Sequence, residues 1–116
     1  METLRTKPGG RAPDPCVIEL REMLQLVLGE NFVRMYHYGS RVEGSATSDS
    51  DYDVLCITRQ PIPRREMDEV LDRTIDVELA HDVLFDLHFY SEEELRTPPT
   101  SFTPYVRHVL ADGIVV

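Results

Sequence analysis

The seven residues YDVLCIT, Tyr52 to Thr58, constrain this chain more than any other stretch. From Val54 to Ile57 no charged side chain interrupts the run. An extended strand of this composition cannot show either face to water, so it belongs at the centre of a sheet with a layer on each side. Yet two carboxylates, Asp51 and Asp53, stand at its mouth. Strand alternation points both to the same side. Two bare carboxylates that close repel, and the neighbouring core adds a desolvation cost. A cation removes both penalties, and hard oxygen donors favour magnesium or manganese.

The rest of the chain supplies partners for such a strand. DPCVIELREMLQLVLGE reads as a helix, with Asp14 as N-cap, Pro15 at the first position and Gly29 at the C-terminal cap. Val17, Leu20, Leu24, Val27 and Leu28 share one face. FVRMYHY is aromatic and β-branched and predicts a strand ending at Gly39-Ser40. PRREMDEVLDRTIDVELAH predicts a second helix whose inner stripe is Met67, Val70, Leu71, Ile75 and Leu79, with its acids on a solvated face. DVLFDLHFY predicts a third strand, SEEEL a capping box, YVRHVLADG a short helix, and IVV a final strand or tail. The order predicts an α+β fold, a small mixed β-sheet with helices packed against it. The chain has 116 residues, enough for one core. Residues 1–15 read as a flexible leader and 16–116 as a single domain.

Charge and cysteine content exclude several functions. The formal net charge is −9, which argues against a non-specific nucleic-acid binder, since that needs a basic face for phosphates. There is no CxxC spacing and no Cys/His cluster, so Cys16 and Cys56 read as small buried hydrophobes rather than zinc ligands. His37, His81, His88 and His108 are scattered, and only His88 shares strand parity with a candidate acid. No apolar run reaches a membrane span and no signal-like stretch opens the chain, which makes the cytoplasm the expected compartment.

The residues around the carboxylate pair suggest a phosphate site. A glycine after a strand lets a ligand approach the backbone, and amides of the next turn can point at a phosphate. Ser40 offers a hydroxyl and Arg41 a positive charge. Asp86 lies between Phe85 and Leu87, which face the opposite way. If its strand neighbours the second, Asp86 completes a triad with Asp51 and Asp53, as a base or a metal ligand. Asp82 has the same parity but lies at the strand entrance. Tyr36 and Tyr38 flank the Gly-Ser turn and read most simply as core or rim aromatics, with contact to a base the alternative for Tyr38. Metal-bridged phosphates between a Gly-Ser turn and paired carboxylates form a phosphoryl- or nucleotidyl-transfer geometry.

The stretch GSRVEGSATSDSDYDVLCI resembles the signature of the DNA polymerase β-like nucleotidyltransferase superfamily, and more closely its minimal nucleotidyltransferase (MNT) domains. The matching residues are Gly39, Ser40, Arg41, Gly44, Ala46, Ser50, Asp51 and Asp53. Glu43 departs from the pattern, standing where an arginine is usual. The resemblance implies two-metal transfer of a nucleoside monophosphate, usually AMP from ATP, to a hydroxyl. Magnesium, or manganese, would be held by Asp51, Asp53 and Asp86. Gly39, Ser40, Arg41 and Ser50 would bind the nucleotide. It further implies a helical HEPN-type partner, with this protein acting as its antitoxin by modifying a tyrosine. The alternative is a non-catalytic nucleotide- or partner-binding module of the same fold.

Overall fold

The computed structural model of the chain describes residues 14–39, 51–99 and 103–116. Helix α1 (Pro15–Leu28) runs through a 3-10 turn (Gly29–Asn31) into strand β1 (Phe32–Tyr38). Strand β2 (Tyr52–Thr58) leads into helix α2 (Arg64–His81), then strand β3 (Phe85–Ser91), helix α3 (Glu92–Arg96), helix α4 (Pro104–Asp112) and strand β4 (Ile114–Val115).

The four strands form one mixed sheet in the order β3-β2-β1-β4. β1 pairs antiparallel with β2 and with β4, while β2 and β3 run parallel. A parallel pair needs a crossover, and α2 supplies it. β2 therefore has a neighbour on each side, and Val54, Leu55 and Cys56 are wholly buried. The central position is the one that the apolar run predicts, and the α+β fold is the one that the order of elements predicts.

Alternation along β2 feeds two cores. Val54 and Cys56 pack with Cys16, Val17, Leu20, Leu24 and Val70 under α1 and α2. Leu55 and Ile57 pack with Tyr36, Tyr38 and Val109 under α4. Both cysteines are buried and free. At the head of α1, Pro15 occupies the first turn as expected, but the Asp14 carboxylate does not cap the helix. It accepts a 2.7 Å hydrogen bond from the Tyr52 hydroxyl instead, tying α1 to the start of β2. Gly29 closes α1 at φ 57°, in the left-handed region that favours glycine. Ser91 and Glu94 form the expected capping box at α3.

Two expectations are corrected. On α2 the buried residues are Val70, Thr74 and Val77, whereas Leu71, Ile75 and Leu79 of the expected inner stripe are exposed. The helix presents its smaller side chains to α1 and the sheet. Thr74 is accommodated there because its hydroxyl donates to the Val70 carbonyl at 2.7 Å. Asp82 is not part of the third strand at all. It ends α2 in a left-handed conformation, φ 54°, a conformation aspartate tolerates better than most residues. Among the described residues no helix is long and apolar enough to cross a membrane.

The facing of the helices can be checked by urea unfolding. Leu24→Ala, at a fully buried position, is expected to cost about 2–5 kcal/mol. Leu79→Ala, 77% exposed, is expected to stay within about 0.5 kcal/mol of the parent.

Candidate functional site

The register of the sheet assembles the site. Tyr38 at the end of β1 pairs with Asp53 near the start of β2. Asp53 in turn pairs with Asp86 near the start of β3. Since Leu55 and Leu87 face opposite cores, alternation puts Asp53 and Asp86 on the same face of the sheet, the one that α4 partly covers. Two acids from sequence-distant strands thus become lateral neighbours.

Gly39 completes this corner. Its φ is 87°, which a residue with a side chain rarely adopts. The space is also taken: a Cβ on Gly39 would collide with Asp53 Oδ2 and lie 2.9 Å from its Cγ. The glycine after β1 is required by the carboxylate as well as by the turn.

Charge accumulates here. The Asp53 carboxyl is pushed above the usual carboxylate range, first by burial and then by the negative charges of Asp86 and Asp51. The His88 imidazole opposes the shift, and a side-chain hydrogen bond between Asp53 and Asp86 adds to it. Asp86 is itself exposed and meets His88, with Oδ1 3.1 Å from Nε2. Asp51 stands exposed at the strand mouth. Among the described residues no three His, Cys, Asp or Glu side chains converge tightly enough to make a ready metal cluster. What the structure does bring together is a half-buried carboxylate, a second one beside it and a third one residue before the strand. Their oxygens fit a hard divalent cation by donor type, and the mutual repulsion at Asp53 is the liability such a cation relieves.

An aromatic wall borders the acids. Tyr38 and Tyr105, the latter in the first turn of α4, share a hydrogen bond between their hydroxyls at 2.6 Å. The Tyr105 ring lies 5.3 Å from the His88 ring and 6.3 Å from that of Tyr90, centroid to centroid. Burial pushes both phenols above their ordinary pKa, and the nearby charges of Asp53 and Asp86 push the same way. Both therefore remain protonated near neutral pH and serve as hydrogen-bond groups beside the carboxylates.

Of the residues expected at the site, Gly39, Asp51, Asp53 and Asp86 lie at this corner. Ser40, Arg41 and Ser50, with Glu43, lie outside the described residues. His88, set apart in the sequence only by its strand parity, touches Asp86. Tyr105 is the residue that reading the sequence missed. Its one signal is the four-residue spacing from Val109, which puts both on the face of α4 turned to the sheet.

The sequence model of the family described as nucleotidyltransferase domain matches residues 20–111. The chain belongs to this nucleotidyltransferase family. The match spans α1 to α4, and the four-stranded mixed sheet with its helices is the polymerase β-like nucleotidyltransferase fold, in agreement with the resemblance to MNT domains. No curated protein sequence matches the chain.

Two variants test the geometry of this corner. Gly39→Ala, forced into positive φ against Asp53, is expected to cost about 1–3 kcal/mol in chemical denaturation. Asp53→Asn should act in the opposite sense. A carboxyl whose folded pKa is raised binds its proton more tightly when folded, so stability falls as pH rises from the ordinary carboxylate pKa of about 4 through the raised value. Without divalent metal, Asp53→Asn is expected to melt higher than the parent at neutral pH. The gap should close at pH values below that window.

Proposed function

We propose that this domain transfers a nucleoside monophosphate, AMP from ATP, to a hydroxyl acceptor in the presence of magnesium. The observation that carries the reading is the lateral pairing of Asp53 with Asp86, packed against the cramped turn at Gly39. Membership of a nucleotidyltransferase family supports the reaction class.

In this proposal Asp51, Asp53 and Asp86 hold the metal, magnesium or in its place manganese. Gly39, Ser40, Arg41 and Ser50 receive the triphosphate. The bound ions would supply charge neutralisation for the phosphates and favour ionisation of the acceptor hydroxyl. The protein's own part is positional. Gly39, without a side chain, leaves the Asp53 carboxylate room to sit directly beneath the turn. Asp86, held by His88, lies on the far side of Asp53 from that turn, where the acceptor hydroxyl would enter and give up its proton. The protonated Tyr38, on the turn side of Asp53, and Tyr105, beside His88, border the carboxylates with fixed hydrogen-bond groups in place of water. The acceptor we propose is a tyrosine of a helical HEPN-type partner, which this protein would silence as an antitoxin.

The experiment is transfer of label from ATP labelled in the α-phosphate to the candidate partner, with magnesium present. Asp51→Asn and Asp53→Asn together are expected to lower transfer roughly a thousandfold or more. Label that survives the double substitution sinks the catalytic assignment. The second reading, a non-catalytic nucleotide- or partner-binding module, is favoured by Glu43, a negative charge within the Gly-Ser-Arg run. Under it the parent protein binds its partner without transferring label, and Glu43→Arg raises ATP affinity in calorimetry.

A further inference from the structure

Helix α2 carries an apolar row on the side it does not bury. Leu71, Ile75 and Leu79 are 51%, 51% and 77% exposed. Their four-residue spacing lines them up along about 12 Å of helix. Leu26 and Leu110 are also exposed, but each is a single residue of its own helix, as is ordinary for surfaces. Three large aliphatics in register on one helix are not.

A second row runs beside the first. Asp68, Asp72 and Asp76 are all exposed and repeat at the same spacing, so one flank of the apolar row is uniformly negative. Arg64 and Arg65 are confined to the first turn of the helix. Arg73 is engaged elsewhere, 2.9 Å from Glu69, and lines the groove toward α1 with Glu22 and Leu26. Arg64 and Arg65, one turn before Asp68, can offset only the N-terminal end of the row, so Asp72 and Asp76 carry its uncompensated charge.

We propose that this face of α2 docks an amphipathic helix of a partner protein, one whose apolar stripe is bordered by lysine or arginine. A ridge of large side chains at four-residue spacing suits the groove of a second helix. The aspartates choose the charge of that helix. A second copy of this chain is disfavoured because laying the row on itself opposes aspartates with aspartates, in a protein of net charge −9. An anionic membrane surface is disfavoured for the same reason. The face gives the partner proposed above a place to bind, but it does not depend on the transfer chemistry. Peptide binding and label transfer are read separately, so either can fail alone.

The test uses two synthetic amphipathic peptides with the same leucine stripe, one bordered by lysines and one by glutamates. Binding is followed by fluorescence anisotropy and mapped by amide chemical shifts on the full chain. The lysine peptide is expected to bind at least about tenfold more tightly, shifting resonances of α2 from Asp68 to Leu79. Leu71→Ser, Ile75→Ser and Leu79→Ser together should weaken it about tenfold, and circular dichroism checks that this surface variant folds. Asp68→Asn, Asp72→Asn and Asp76→Asn together should erase the preference for lysine. Equal binding of both peptides, or shifts centred on Asp53 and Asp86 instead of α2, would overturn the proposal. So would a dimer in sedimentation that the serine variant abolishes, since the second copy would then be the occupant.

Discussion

The Asp53 carboxylate fills the space where a side chain on Gly39 would be. The rest of the site depends on this contact. The end of β1 and the start of β2 are paired at Tyr38 and Asp53, so only a residue without Cβ lets the chain turn away there. The same pairing places Asp53 next to Asp86 once β3 docks in parallel on β2. The corner is electrostatically costly: Asp53 is half-buried, with two further carboxylates acting on it. A fold selected for stability alone would have an amide or an apolar residue at that position. A bound cation would relieve this strain.

The parallel pair is what brings the acids together, and α2 is what makes a parallel pair possible. Of the four strands only β2 and β3 need a crossover. That crossover also closes the core over Val54 and Cys56, leaving the opposite face to the short helices α3 and α4. The thinner cover on that side is what keeps Asp86 and His88 accessible while Leu87 and Phe89 are packed. The carboxylate corner thus lies on the thinly covered face, beside the second core of Tyr36, Tyr38, Leu55, Ile57 and Val109.

Much of this was legible in the sequence. The unbroken apolar run of β2 predicted its central position, and the alternation in LFDLHF placed Asp86 on the face opposite its bulky neighbours. Pro15, Gly29 and the Ser91-Glu94 pair marked helix ends correctly because their constraints are local. Other features required the assembled fold. The periodicity of α2 offers two faces, one with Leu71, Ile75 and Leu79 and one with Val70, Thr74 and Val77. Counting hydrophobic bulk selects the first, but the narrow space against α1 accepts the second. Tyr105 was invisible because nothing near it in the chain resembles a site. It reaches Tyr38 only through the docking of α4 on the sheet. Asp82 was misplaced because an aspartate that ends a helix in a left-handed conformation looks, from spacing alone, like the first residue of a strand.

Among the described residues, carboxylates gather both at the sheet corner and along the aspartate row of α2. Titration with manganese, followed by paramagnetic broadening of amide resonances, separates them. Broadening that begins at Gly39, Asp53 and Asp86 and disappears in Asp53→Asn is the outcome expected of a metal-dependent nucleotidyltransferase site. Broadening centred on Asp68, Asp72 and Asp76, with the sheet corner untouched, would contradict it.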